Sequence, residues 1–148
     1  MACVFCNFIT GKSKTHRNGY PLTILHKTRH AFSFMAIDFP ASEDGHMIVA
    51  PKKHYENFEE LPRHVLHDLS EHLALAARIT RKQHQGCNIL LNDGRSAEQK
   101  VPHVHFHIIP RDKGDRIHLE SWKRKNLGLE KFKLLSQQLR RSFSTTRL

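Results

Sequence analysis

Residues 101–110 read VPHVHFHIIP, and this run constrains the fold more than any other stretch. His103, His105 and His107 alternate with Val104, Phe106 and Ile108. Successive side chains of a β-strand point to opposite faces, so this alternation predicts a strand with one apolar face and one histidine face. Along such a strand the histidines stand roughly 6.5–7 Å apart, too far for direct contact but spaced to line a groove. Burying an unpaired imidazole is costly, so the pattern needs a reason. The alternation alone leaves three open: a solvated strand face, a metal site, or a catalytic site. Neutral imidazole is available near pH 7 as ligand, base or nucleophile.

Four more segments read as strands. Thr23–Lys27 and Ala31–Ile37 form a hairpin about the polar KTRH, His46–Ala50 follows Gly45 and stops at Pro51, and CNILLN (87–92) has the look of a buried strand. A long helix is expected from near Pro62, a residue suited to the first helical position. Leu66, Leu69, Leu73, Ala76 or Ala77, and Thr80 fall on one stripe at steps of three and four. Gly86 is expected to cap its C-terminus. His64, His67 and His72 on this helix, and His84 near its end, read as a solvated face. A second helix is expected over Glu130–Arg141. Short connections with one long helix between the third and fourth strands predict an antiparallel α+β fold, a five-stranded sheet with one long central helix and a C-terminal helix. The 148 residues suit a single domain over 1–141, with 142–148 as a frayed tail.

Charge is the strongest compositional signal. Lys and Arg number 24 against 14 acidic residues, a net charge of +10. Such a balance attracts polyanions such as nucleotides, nucleic acid or an anionic surface, although the excess in GKSKTHR and in the C-terminal region equally serves solubility. No apolar stretch approaches the roughly 20 residues that span a bilayer, and MACVFCNFIT lacks the pattern of a secretory signal. Cytoplasmic or nuclear residence, without membrane association, is therefore expected. Three cysteines argue against a disulfide framework, and Cys3-x-x-Cys6 is either a metal half-site or a redox motif.

Residues further upstream decide among the readings of the histidines. NILLNDGRSAEQKVPHVHFHIIPR (88–111) resembles the signature of the histidine triad (HIT) nucleotide-binding family, His-φ-His-φ-His-φ-φ with φ apolar. Asn92, Gln99 and Val101 stand at the family's offsets, and MAIDFPASEDGHMIVAPKKH (35–54) is similar to the family's first strand and ribose-binding segment, in the manner of its Hint branch. The resemblance runs from about Cys3 to Arg111.

This resemblance implies nucleotide hydrolysis or nucleotidyl transfer at an α-phosphate, with purine nucleoside phosphoramidates or related conjugates as substrates. It makes His105 the nucleophile that carries the nucleotidyl group before water removes it, so one hard displacement becomes two easier ones. It implies that His107 and Gln99 hold phosphate oxygens, with His46 and His103 nearby, and that Asn92 bonds a phosphate or sugar oxygen. Asp38 is expected to accept hydrogen bonds from the ribose hydroxyls. Two positions depart from the pattern. Lys100 replaces the usual Ser or Thr after the glutamine, and Glu98 replaces the glycine before it. Both bear on substrate preference, and Lys100 with IIPRDKGD favours dinucleoside polyphosphate cleavage as the alternative.

Family members with an N-terminal CxxC pair hold structural zinc with two histidines, which implies Cys3, Cys6, His54 and His103 as ligands here. The resemblance also implies a homodimer. A basic nucleic-acid-binding or interaction protein that retains a nucleotide pocket is the reading from a different class. It is disfavoured because no RNA-binding signature or second zinc-finger ligand set is present.

Overall fold

In the structure, a computed structural model that describes residues 3–37, 45–119, 121, 123 and 125–146, five strands form one antiparallel sheet. They are β1 (Ile24–Lys27), β2 (Ala31–Met35), β3 (Met47–Pro51), β4 (Gly86–Leu91) and β5 (Phe106–Arg111), in the spatial order β1-β2-β3-β5-β4. Helix α1 spans Val4–Ile9, α2 spans Arg63–Thr80 and α3 spans Leu129–Thr145. The α+β fold expected from the strand and helix patterns is the one observed. The chain divides into two compact units, Met1–Ile117 and His118–Leu148, and α3 belongs to the second. No helix among the described residues is long and apolar enough to cross a membrane.

The pleat of the sheet sorts its side chains into two apolar layers. Ala31, Val49 and Ile108 face α2 and pack with Val65, Leu69 and Ala76. Phe32, Phe34, Ile48 and Ala50 face the other way and pack with Phe5 and Phe8 of α1. The register places Ile48 of β3 and Leu90 of β4 on either side of His107 in β5. The α2 layer is thus a closed core, and the α1 layer carries the histidines.

Several details differ from the sequence reading. β5 begins only at Phe106, so His103 and His105 precede the strand and do not share its pleat. The Val104 N–H donates to the Tyr55 carbonyl at 2.8 Å, which takes this segment out of the ladder. Helix α2 ends at Thr80, capped through Arg81, and Gly86 opens β4 instead of capping the helix. Its most buried stripe is Val65, Leu69, His72, Ala76 and Thr80, turned by about one position from the expected one. α3 continues to Thr145, through residues expected to fray.

His72 and His84 do not belong to a solvated face. His84 Nδ1 lies 2.7 Å from an Asp112 carboxylate oxygen. His72 is 2% exposed, its Nε2 lies 3.0 Å from Ser33 Oγ, and its Nδ1 has no hydrogen-bond partner among the described residues. Burial first, and then the neighbouring His26, push His72 from about 6.5 down to about 4. Between these values the unfolded chain binds a proton that the folded chain refuses, so stability falls as the pH drops through this window and is unaffected above it. Urea unfolding should lose about 1–2 kcal/mol more between pH 7 and 5 in the wild type than in His72→Gln. Equal losses in the two proteins would contradict this account of His72.

Candidate active site

A cavity of about 410 Å³ opens on the α1 face of the sheet. This size suits a drug-sized or nucleotide-sized ligand. Phe5 and Phe8 of α1, Phe34 of β2 and Ile109 of β5 form much of its apolar lining, and His46, Asn92, His105 and His107 bring polar groups to it. The alternation seen in the sequence delivers His107 and Ile109 to the same face of β5. His105 reaches the cavity from the turn before that strand, with its ring centroid 5.0 Å from that of His107. The rings therefore touch, closer than an ideal strand would hold them.

Each imidazole of the group has a defined partner. His105 Nδ1–H donates to the carbonyl of His103 at 2.7 Å, which leaves Nε2 as the unprotonated nitrogen of a neutral ring. His46 Nε2 and His107 Nδ1 face each other at 3.0 Å, so one donates and the other accepts. Burial lowers His105, opposed by its bond to the His103 carbonyl. Burial, then the adjacent His105 and His46, bring His107 down to about 4. Near neutral pH the two triad rings in the cavity are uncharged, which suits a nucleophile better than imidazolium does.

A second cluster stands on the N-terminal side of the triad. Cys3 and Cys6 lie one helical turn apart at the start of α1, a spacing that puts both sulfurs on one side. Their sulfurs and the ring nitrogens of His54 and His103 all lie within 4.8 Å of one another. Individual contacts are 3.3 Å for Cys3 Sγ to His103 Nδ1, 3.7 Å for Cys6 Sγ to the same nitrogen and 3.6 Å for Cys6 Sγ to His54 Nδ1. Tetrahedral zinc, with bonds of ~2.3 Å to sulfur and ~2.0 Å to nitrogen, separates neighbouring ligand atoms by about 3.5 Å. The donor set therefore fits such an ion. His103 Nε2–H donates to the Pro51 carbonyl at 2.9 Å, which fixes the tautomer that aims the Nδ1 lone pair at the sulfurs. Burial, then the neighbouring Cys3, push the Cys6 thiol up to about 11. Two adjacent thiolates need a cation to balance them.

The remaining expected site residues are distributed unevenly. Asn92 lines the cavity beside His107, and Lys100 and Glu98 also lie on its lining. Gln99 does not. Its Oε1 accepts from the Gly94 N–H at 2.9 Å and its Nε2 donates to the Glu56 carbonyl at 2.8 Å, so both ends of the amide tie down backbone. His103 is 0% exposed with both ring nitrogens committed, which places it in the cysteine cluster and not among groups open to a nucleotide. Asp38 lies outside the described residues. Glu98 has φ +65°, the left-handed region in which a side chain costs about 1 kcal/mol and glycine costs little. That explains why glycine suits the position.

The N-terminal contribution to the cavity lies outside the site residues that the sequence motifs point to. Phe5 and Phe8 are three apart on α1, and His16 and Arg17 follow in a tight turn. The signal available was the pairing of cysteines at 3 and 6 with phenylalanines at 5 and 8, which is one short helix with two working sides.

A family model for the HIT domain matches residues 19–114, which hold His46, His54, Asn92 and the whole histidine run. The chain is 31% identical over 140 residues to adenosine 5'-monophosphoramidase of Schizosaccharomyces pombe, across 94% of this chain and 96% of that protein. The histidine triad nucleotide-binding protein from Candida albicans has the same fold, with a TM-score of 0.80 at 26% identity over 97% of this chain and 98% of that one. A zinc-bound histidine triad family protein from Mycobacterium smegmatis matches with a TM-score of 0.69 at 27% identity, covering 99% of both chains. With the family model covering well over half of its length, and the triad inside the matched segment, this chain belongs to the HIT family.

Proposed function

We propose that this protein is a nucleotidyl hydrolase that cleaves purine nucleoside phosphoramidates or related nucleotide conjugates at the α-phosphate. The observation that carries the reading is the His105 ring. Its Nδ1 proton is held by the His103 carbonyl, and the ring lines a nucleotide-sized cavity with Nε2 unprotonated. In the first step Nε2 attacks phosphorus, the bond from phosphorus to the leaving amine breaks, and the amine takes up a proton from solvent. Water then attacks the same phosphorus and gives up a proton to solvent, the bond to Nε2 breaks, and its electron pair returns to the ring. His107, accepting at Nδ1 from His46, presents Nε2–H to a phosphate oxygen, and Asn92 adds a further donor. Asp38 keeps the ribose-binding role that the family resemblance implies.

Substitution of His105 by Asn should abolish turnover of adenosine phosphoramidate while leaving binding of AMP within a few-fold of the wild type. His107→Asn should cost less, on the order of 10²–10³ in rate, because it removes a supporting donor and not the nucleophile. Turnover by His105→Asn at the wild-type rate would end the covalent reading. Lys100 on the cavity lining favours longer phosphate chains as a second reading. Parallel assay with a dinucleoside tetraphosphate ranks the two.

Zinc at Cys3, Cys6, His54 and His103 is proposed as structural. An ion there cross-links α1 to the segments that follow β3 and precede β5, and does not touch the substrate. Elemental analysis should find about one zinc per chain. Cys6→Ser should release it and lower the melting temperature, and chelation should leave turnover largely intact at temperatures where the protein stays folded. Immediate loss of turnover in a still-folded, chelated protein would make the metal catalytic.

The chain is further proposed to be a homodimer. β4 is an edge strand, bonded only to β5 among the described residues, and exposes Ile89. An unpaired edge of this kind invites a second strand. Light scattering should give twice the chain mass, and a stable monomer at micromolar concentration would remove the proposal.

A further inference from the structure

The cavity lining contains a polar side chain that no role described so far employs. His16 is 7% exposed, lies N-terminal to the segment matched by the HIT domain model, and lines the cavity. Its ring packs edge-on against Phe8 at 5.3 Å and tilted against Phe34 at 6.0 Å. Neither of its ring nitrogens has a hydrogen-bond partner among the described residues. A tight turn fixes its backbone: the His16 N–H donates to the Tyr20 carbonyl at 2.8 Å, and the Gly19 N–H donates to the His16 carbonyl at 3.0 Å. Gly19, at φ +81°, makes that reversal possible.

Successive ring contacts show where His16 lies relative to the chemistry. From His16 the path runs to Phe34 at 6.0 Å, from Phe34 to Phe5 at 5.2 Å, and from Phe5 to His105 at 5.1 Å. A ligand with its phosphorus at His105 extends along these phenylalanines, whose faces suit a flat heteroaromatic ring. The imidazole waits at the far end of that apolar path.

We infer that His16 is a specificity-determining residue that hydrogen-bonds the heteroatom edge of the bound nucleobase, at the side remote from the sugar. This rests on the nucleotide reading above and adds to it the part of the substrate that is recognised. Burial favours the neutral ring, which offers one donor and one acceptor. The His16 nitrogens are open to the cavity, so a base that covers them must supply the hydrogen bond that water makes there or leave a polar group unpaired at a cost. The 6-amino group of adenine does so by donating to the bare imidazole nitrogen, whereas unsubstituted purine has only ring acceptors on that edge and leaves this nitrogen unpaired. Sites built this way reject the analogue that lacks the group, because the analogue leaves the protein's own polar group unpaired.

The test compares the 5'-phosphoramidates of adenosine and of purine riboside, which lacks the 6-amino group. Calorimetric titration of the two monophosphates serves as a second readout. The wild type should prefer adenosine by about tenfold in kcat/KM, with most of the difference in KM. His16→Phe keeps the aromatic packing and should reduce the preference to less than about threefold. His16→Gln, which retains a donor and an acceptor, should keep part of it and guards against a folding defect in the first variant. A wild type that cleaves both substrates equally well, or a Phe variant that keeps the full preference, overturns the inference and leaves the nucleotidyl hydrolase reading standing. A wild type that neither binds nor cleaves any of these nucleotides overturns both.

Discussion

The site depends on one imidazole that is not itself open to substrate. His103 donates from Nε2 to the Pro51 carbonyl, aims Nδ1 at the sulfurs of Cys3 and Cys6, and accepts the His105 Nδ1 proton on its own carbonyl. Its ring is fully buried, and its bonds to the Pro51 carbonyl and from His105 are shielded from water. Through the first, the end of β3 is joined to the turn before β5. Through the second, α1 is drawn onto the sheet and brings Phe5 to within 5.1 Å of the His105 ring. Through the third, the tautomer of the proposed nucleophile is set.

The two faces of the sheet divide the work. On the α2 side, Val49, Leu69, Val104 and Ile108 form a closed core that holds the strands in register. On the α1 side the packing is incomplete around the histidines, and the resulting cavity is where buried polar groups are tolerated. His105 and His107 are held in their neutral forms chiefly by burial, a cost that the closed core on the opposite face offsets. Gln99 belongs to this support. Its amide spans from Gly94 to Glu56 and steadies the loop that leads into the triad.

Much of this was legible in the residues, and the exceptions have physical causes. Short, nearly continuous apolar runs such as AFSFM and MIVAP mark β2 and β3 plainly, because strands buried on both faces need no polar alternation. The four zinc-type ligands were recognisable by residue type and by family resemblance, and the structure gathers them. Helix α1 is marked only by the paired spacing of Cys3 with Cys6 and Phe5 with Phe8, a weak signal over six residues, and its stability comes from packing Phe5 and Phe8. The burial of His72 is not visible in the residues, because a histidine on a helix has no polarity pattern that reveals burial. Its place follows from Ser33 across the interface, a contact 39 residues away. The late start of β5 was hidden for a similar reason, as the Tyr55 carbonyl that captures Val104 lies far off in the chain.

The central claim is that the His103 carbonyl holds His105 in one tautomer and leaves Nε2 free to attack phosphorus. Long-range proton–nitrogen NMR of histidine-labelled protein near pH 7 measures this directly, since bare and protonated ring nitrogens have well-separated shifts. The account predicts a neutral His105 with its proton on Nδ1 and a bare Nε2. A proton on Nε2, or an imidazolium at that pH, would contradict it.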